Sequence, residues 1–282
     1  MTLAEAAGEL GVHYMTVYRY VRTGRLPAVK DGANNWVIDS RDLAAAQSGP
    51  RRFDGGPAER RPDLVRRLLV SDEMGAWAVV ESALSSGMEA EEVAVGLLGG
   101  AMRDIGELWA QGEVSVADEH RATSTGTRLV ARLGARFGRR GVKRGAVVLA
   151  APEGELHSLP VSVAANVLRW RGYDVVEVGA HTPADALAVT VAAEAGARPS
   201  SFVAAGICCT TVAALESGAQ AITAIRERLA VRGLWVTVLA GGAAIDGEEH
   251  ARALGADAYS GKRADELAEV LGRLGATPPS AA

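Results

Sequence analysis

One short segment in the second half of the chain could hold a metal-ligating imidazole. His157 lies two residues after Glu155, in a loop that follows the strand-like apolar run at 146–150. A carboxylate that holds one ring nitrogen of a histidine fixes the tautomer and the orientation of the imidazole, as it does at metal sites. A loop histidine is more often simply solvated, so this pair alone leaves both interpretations open.

A second group of candidate residues lies in the helical middle of the chain. Trp109 is followed ten residues later by Glu119 and then by His120. This spacing places the indole at the end of one predicted helix and the acid–histidine pair near the start of the next. Taken separately, the tryptophan could fill a core and the polar pair could be a solvated helix face.

The third group lies near the N-terminus and could contact a duplex. A short helix that carries Thr, Tyr and Arg fits a major groove, where basic side chains contact phosphates and base edges. The candidate DNA contacts are Thr16, Tyr18, Arg19, Arg22, Lys30 and Asn35. A small helical module for protein contacts is the alternative interpretation of the same segment.

Composition limits the classes of protein that can carry these groups. With 282 residues, 48% hydrophobic and 23% charged, the chain is a soluble globular protein of about two domains or more and not a disordered one. It has no membrane-length apolar run and no secretory signal, so we expect a cytoplasmic protein that does not bind membranes. A net charge of −4 argues against a general nucleic-acid coat. The adjacent Cys208 and Cys209 cannot form a disulfide framework.

The hydropathy pattern predicts three folded segments. Two short helices around a Gly turn, followed by a hairpin, are typical of a winged helix-turn-helix. Helix-length repeats with short connections then indicate a four-helix bundle, and alternating strands and helices indicate a doubly wound, Rossmann-like parallel sheet. The predicted bounds are 1–47 for the helix-turn-helix, 48–62 for a linker with solvated arginines, 63–140 for the bundle, 141–276 for the α/β domain and 277–282 for a disordered tail.

Individual elements follow from caps and apolar spacing. Thr2 and Glu5 form a capping box for the first helix, and Gly24 closes the second. In the α/β domain, strands are predicted near 146–150, 174–178, 201–208, 235–240 and 256–259, with helices near 162–170, 184–195, 217–230 and 264–274.

Motifs in two of these segments resemble known families. Thr16-Val17-Tyr18-Arg19 and Gly24-Arg25-Leu26-Pro27 resemble excisionase/MerR-like DNA-binding domains. Glu155-x-His157 resembles the Asp/Glu-x-His signature of cobalamin-binding domains, and Gly241-Gly242 and Gly179-x-x-Thr182-Pro183 resemble other turns of that family. The two glycines are expected to leave room beside the backbone for the nucleotide tail. Here Pro160 and Cys208 stand where the family usually has Gly and Ser, and Thr210 or Thr211 could compensate for the serine.

The whole chain is similar to the CarH/LitR-type B12-dependent photoreceptor regulators, whose Trp-x9-Glu-His motif matches Trp109, Glu119 and His120. The resemblance implies adenosylcobalamin with His157 on its lower cobalt face and with Trp109 and Glu119 over its adenosyl group. His120 would take the upper position after light. It also implies a light-responsive regulator and not an enzyme, most simply a repressor, that binds operator DNA as a dimer or tetramer.

Three other functions remain open on the sequence alone. A corrinoid methyl carrier would share the bundle and the cobalamin domain but has no use for a DNA-binding helix. A regulator that senses cobalamin without photochemistry is compatible with the altered positions Cys208 and Thr210. A regulator that has lost its cofactor and acts through protein contacts is the third.

Overall fold

The computed structural model describes most of the chain. The described residues are 1–22, 26, 28–30, 32, 35–40, 42–43, 56–135, 141–198, 201 and 203–275. The side chains of Arg19 and Arg22, the predicted helix end at Gly24, the first part of the predicted linker and the predicted tail 277–282 lie outside this description. The chain divides into two compact units, Met1–Asp54 and Gly55–Ala282.

The first unit consists of two helices and a small antiparallel hairpin: α1 (Leu3–Leu10), α2 (Tyr14–Arg22), β1 (Val29–Lys30) and β2 (Trp36–Val37). The predicted capping box is present, because Thr2 and Glu5 each accept a hydrogen bond from the other's backbone N–H through their side chains. Gly11 ends α1 with a φ of 64°, a conformation that costs glycine little. The apolar faces meet in a core of Leu3, Ala6, Ala7, Val17, Val21, Leu26, Ile38 and Leu43.

The second unit begins with the predicted four-helix bundle. Its elements are α3 (Pro57–Leu69), α4 (Glu73–Ser85), α5 (Ala90–Glu92), a π-helical segment (Val93–Leu98) that continues into α6 (Gly99–Ala110), and α7 (Val116–Ala135). The π-helical turns were not predicted, since the apolar spacing of this stretch is that of an ordinary helix. Of the helices in the described ranges, none combines the length and the apolar character needed to cross a bilayer.

The predicted linker at 48–62 is wrong from Pro57 onward, because α3 begins there. Proline fits the first turn of a helix, where its missing N–H would have had no partner. The arginines of this stretch are not all solvated either. Arg60 is only 2% exposed and donates hydrogen bonds to Ser82 of α4 and to Ser86, which caps its C-terminus, at 3.1 and 2.9 Å. The Pro- and Arg-rich composition of residues 57–62 therefore belongs to the first turns of α3 and not to a linker.

A five-stranded parallel sheet with helices on both faces completes the unit and confirms the predicted α/β fold. The strand order is β4-β3-β5-β6-β7. Its elements are β3 (Ala146–Pro152), α8 (Leu159–Trp170), β4 (Asp174–Thr182), α9 (Ala184–Ala197), β5 (Val203–Cys208), α10 (Leu215–Val231), β6 (Thr237–Gly241), α11 (Glu248–Ala253), β7 (Ala258–Tyr259) and α12 (Ala264–Gly275). Helix α11 was not predicted, since its six charge-rich residues show no apolar period.

The bundle and the sheet share one core. Side chains alternate along β3, as strand geometry requires. Val147, Leu149 and Ala151 belong to the core that contains the bundle, whereas Val148 and Ala150 belong to the core under the opposite helices. The contact with the bundle runs along α8, where the amide of the buried Asn166 donates to the carbonyl of Val130 on α7 at 3.0 Å.

Close packing at this contact makes a stability prediction. A Cβ on Gly134 would lie 2.4 Å from the Asn166 side-chain oxygen, so Gly134→Ala should lower the free energy of unfolding by about 1–3 kcal/mol. Adding Asn166→Ala removes the obstacle, so the double variant should lose less than the two single losses combined. Urea unfolding followed by circular dichroism measures both.

Gly106→Ala is the matched control for this prediction. A Cβ at Gly106 meets nothing within 4 Å, so the better helix propensity of alanine should raise stability by up to about 1 kcal/mol. Equal effects of the two glycine substitutions would contradict the packing argument.

Candidate functional site

The candidate site lies at the carboxyl ends of β3 and β5, where the strand order of the sheet reverses. Glu155 and His157 follow β3, and Thr210 and Thr211 follow β5. Ligands of doubly wound sheets bind in the crevice at this reversal. Four side chains from two distant parts of the sequence therefore meet where the fold leaves room for a ligand.

Glu155 is fully buried and connects the two strand ends. Its Oε2 accepts hydrogen bonds from the N–H groups of Thr210 and Thr211 at 2.8 and 3.0 Å and from the Thr211 hydroxyl at 3.2 Å. Its Oε1 accepts from the backbone N–H of His157 at 3.1 Å. Burial on its own raises the pKa of this carboxyl, but the hydrogen bonds from Thr210 and His157 outweigh it and lower the pKa to about 2. Glu155 is therefore a buried carboxylate at neutral pH.

The carboxylate also sets the chemistry of His157. Nδ1 of the imidazole lies 2.5 Å from Glu155 Oε1 and 3.0 Å from the Thr210 hydroxyl. Because a carboxylate only accepts hydrogen bonds, Nδ1 is the nitrogen that donates to Glu155, and Nε2 points away from this pair. The side chain of His157 is 56% exposed. The arrangement fixes the orientation of the imidazole and leaves Nε2 as the nitrogen that can ligate a metal.

His181 supports the same loop, a role that the sequence did not reveal. The backbone N–H of Gly154 donates to His181 Nδ1 at 2.9 Å, and the N–H of His181 donates to the Glu155 carbonyl at 2.9 Å. His181 has a φ of 53°, which is uncommon for a residue with a side chain. The only signal in the sequence was that His181 follows the strand predicted near 174–178, at the carboxyl end where ligands of such sheets bind.

Other predicted cofactor contacts serve the packing of the protein itself. A Cβ on Gly241 would lie 2.1 Å from Ser260 Oγ, and a Cβ on Gly242 would lie 2.3 Å from the Cys209 carbonyl. These close protein neighbours alone require glycine at both positions, and the expectation that the glycines leave room for a nucleotide tail stays a prediction. Thr182 is 5% exposed and donates to the Gly179 carbonyl at 3.4 Å.

The two cysteines lie at the end of β5 on opposite sides of the sheet. Cys208 packs against the core shared with the bundle, and Cys209 belongs to the other core. Both are free thiols, and burial raises the pKa of each to about 12. Cys208 therefore presents a neutral thiol at neutral pH, a weak hydrogen-bond donor.

Trp109, Glu119 and His120 form an exposed group at one end of the bundle. Trp109 is 51% exposed, so it does not fill a core. Glu119 accepts a hydrogen bond from the Thr123 hydroxyl at 2.7 Å and lies 2.9 Å from Nδ1 of His120, whose side chain is 74% exposed. The structure thus brings the predicted acid–histidine pair together on the surface.

Helix geometry relates this group to the His157 loop. A Cβ on Gly126 of α7 would lie 3.1 Å from Met102 of α6 and 3.7 Å from Leu159, the first residue of α8. Trp109 and Glu119 each lie seven residues from that contact, which is two turns along the same helix face and about 10 Å. The face of the bundle that carries Trp109 and Glu119 therefore extends beyond Leu159, where α8, the helix after His157, begins.

The DNA-contact candidates lie in the first unit. Thr16 and Tyr18 on α2 are half-buried, and Tyr18 packs against the small core. Lys30 and Asn35 are exposed, with the Lys30 ammonium 5.3 Å from the Trp36 ring centre. Sequence reasoning missed Tyr14 and Met15, which are 45% and 57% exposed in the first turn of α2.

Comparisons with known proteins agree with this architecture. Residues 61–133 match the family described as B12 binding domain, and residues 1–49 match a helix-turn-helix domain. No curated protein matches the chain. The solved monomethylamine corrinoid protein of Methanosarcina barkeri is 18% identical, with a TM-score of 0.61 over 75% of this chain and 96% of its own.

Two further solved structures match with lower similarity of fold. A cobalamin-binding protein from Desulfitobacterium hafniense DCB-2 is 20% identical, covering 76% of this chain and 97% of its own, with a TM-score of 0.38. The methanol:cobalamin methyltransferase complex of Methanosarcina barkeri is 15% identical, covering 86% and 91%, with a TM-score of 0.38. The chain thus contains a B12-binding domain and a helix-turn-helix domain, and its fold resembles that of a corrinoid protein.

The hydrogen bonds of Glu155 make a second prediction. In Glu155→Gln, the amide NH2 must face either the threonine N–H groups or the His157 N–H, so donor meets donor at a buried position. The free energy of unfolding should fall by about 1–3 kcal/mol, measured by urea unfolding of the cofactor-free protein. Glu153→Gln is the control, because its side chain is exposed in the same loop. If both variants match the native protein, Glu155 does not join the strand ends as described.

Proposed function

We propose that this protein is a light-responsive transcriptional repressor that uses adenosylcobalamin as its chromophore. One observation carries the proposal: a helix-turn-helix unit shares the chain with a bundle whose exposed Trp109 and half-buried Glu119 lie on the face that extends past the start of the helix after His157. A cap over a ligand and a ligating imidazole below it are what such a sensor needs, and the helix-turn-helix supplies the output.

The His157 side of the site fits a corrinoid. Nε2 would ligate the lower face of the cobalt, while Glu155 and Thr210 hold Nδ1 in place. Leu156 and Val212 flank these residues and are 75% and 77% exposed. Large exposed apolar side chains beside a ligand position favour a partner with an apolar face, and a macrocycle has one.

The bundle would cover the upper side. Trp109 offers a large apolar surface to the adenosyl group, and the Glu119 carboxylate can accept hydrogen bonds from sugar hydroxyls. When bound, adenosylcobalamin supplies a cobalt–carbon bond that light breaks. His120 would be a second ligand for the metal, since its Nδ1 lies against Glu119 and its Nε2 points away from that pair.

The output would be DNA binding and not catalysis. In the dark, the ligand would make more favourable contacts with one of two states of the bundle and would stabilise that state. Photolysis would remove these contacts, so that the other state becomes populated. A dimer or tetramer would bring several helix-turn-helix units to one operator, so that avidity compensates for the small charge of each. The protein would act in the cytoplasm, where its operator is.

The full chain, loaded with adenosylcobalamin in darkness, provides the test. DNA is first selected from a random pool by the dark protein, and then binding, elution volume and absorption are compared before and after green light. We expect dark binding that falls at least tenfold on illumination, with a change in size. His157→Ala should lose the cofactor or give a water-ligated spectrum, whereas the control His250→Ala should behave as the native protein.

Other outcomes identify the competing functions. Cobalamin-dependent DNA binding that is equal in darkness and light would contradict photochemistry and indicate a cobalamin sensor. Corrinoid retention without specific DNA binding would indicate a corrinoid carrier, a function compatible with the resemblance in fold to the monomethylamine corrinoid protein of Methanosarcina barkeri. DNA binding without cobalamin retention would indicate a regulator that responds to another signal.

Trp109 makes a separate prediction about ligand choice. Trp109→Ala should reduce the preference for adenosylcobalamin over methylcobalamin by about tenfold, because it removes apolar surface that only the larger upper group would contact. Affinities are measured by spectral titration in darkness. Trp235→Ala is the control, because Trp235 is 69% exposed and lies just before β6. It is therefore at the amino-terminal ends of the strands, whereas His157 is at their carboxyl ends. An unchanged preference in Trp109→Ala would remove this residue from the site.

A further inference from the structure

A cavity lies between the bundle and the α/β domain, away from the Glu155–His157 loop. It has a volume of about 1190 Å³, and its walls come from both parts of the second unit. Five arginines line it: Arg61, Arg103, Arg144, Arg171 and Arg263. Arginine is the side chain best suited to bind oxyanions, since its planar fork donates several hydrogen bonds in a fixed geometry.

Three of these arginines converge from three different elements. Arg61 lies on α3, Arg103 on α6, and Arg263 just before α12. A Cβ on Gly100 would lie only 2.6 Å from Arg61 Cδ, so this glycine lets the Arg61 side chain lie across α6. Arg61 reaches within 3.5 Å of Asp104, but its buried Nε makes no hydrogen bond in the part of the chain that the structure describes.

The local charge at this wall is not balanced. Arg263 is paired with Asp265 through two contacts, at 3.0 and 2.5 Å, and Arg61 has Asp104 nearby. Arg103 has no hydrogen bond or ion pair with any described residue. Arg103 is exposed at the wall. Partial burial, followed by the guanidinium groups of Arg263 and Arg61, lowers its pKa below the ordinary value, although Asp104 and Asp265 act in the opposite direction.

The acidic residues that line the cavity lie mostly at its other end. Glu91 is held there by Arg171 at 2.8 and 2.9 Å. The Arg103 guanidinium reaches back to Gly99, where an added Cβ would lie 3.6 Å from its Nη1, and Glu92 lies seven residues further along the helical stretch, roughly 10 Å away. These carboxylates therefore do not neutralise the wall where the three arginines meet.

We propose that this arginine wall binds the phosphate group of a small phosphate-bearing molecule, whose remainder would lie along the cavity. A tetrahedral oxyanion can accept hydrogen bonds from several directions at once, which matches donors from α3, α6 and the loop before α12. The bound anion would also relieve the repulsion among like charges. This inference is independent of cobalamin binding, because the cavity is not lined by Glu155, His157 or the residues around them.

Calorimetric titration of the full chain with inorganic phosphate tests the site, at an ionic strength held constant with chloride. We expect saturable binding that weakens at least tenfold in Arg103→Gln and in Arg263→Gln. Arg66→Gln is the matched control, because Arg66 is a 70% exposed arginine on α3 that does not line the cavity. It should bind phosphate as the native protein does.

Three results would overturn the proposal. The first is equal phosphate affinity in Arg103→Gln and Arg66→Gln. The second is heat that chloride alone reproduces. The third is acetate binding at least as tight as phosphate binding, which would make the site a carboxylate site. Circular dichroism of each variant verifies that a loss of binding is not a loss of fold.

Discussion

A charged carboxylate buried between two strand ends determines the geometry of the candidate site. Removing such a charge from water costs several kcal/mol unless hydrogen bonds replace the water. Glu155 meets this condition with donors from Thr210, Thr211 and His157. Because these donors belong to loops after two different strands, satisfying one carboxylate also joins the loops and orients the imidazole. The same requirement explains why His181 holds Gly154 and the Glu155 carbonyl from the neighbouring strand, since a shift of that loop would leave the carboxylate without its donors.

The position of α8 extends this constraint to the bundle. The helix begins two residues after His157 and is contacted by the bundle along its length, by Gly126 near Leu159, by Val130 at Asn166 and by Glu91 at Arg171. A displacement of the His157 loop therefore acts on the element against which the bundle packs. The shared apolar core makes the bundle and the sheet one packed body, and close-packed interiors move between discrete arrangements more readily than they deform continuously.

Features that depend on nearby residues could be predicted from the sequence. The capping box at Thr2, the apolar run of β3 and the Glu155–His157 spacing all involve neighbours in the chain, and the fold class followed from the order of helical and strand-like segments. Features that depend on distant neighbours could not. The start of α3 was hidden by its proline and arginines, whose packing against α4 is a tertiary contact. The role of His181 depends on the register of β4 against β3, and the reason for Gly242 depends on the loop that carries Cys209. Conversely, the group at Trp109 was found through spacing, but its exposure was visible only in the structure.

The two carboxylate–histidine pairs differ in burial, and this difference assigns them different tasks. In both pairs Nδ1 lies against a carboxylate, so both imidazoles can offer Nε2 to a metal. Glu155 is fully buried with every contact made inside the protein, and His157 can leave it only by uncovering a charge. Glu119 retains 24% exposure and His120 retains 74%, and exposed pairs of this kind contribute about 0–1 kcal/mol. His120 can therefore change rotamer at little cost. Under the proposed function, a permanent ligand would require the first environment and a conditional ligand the second.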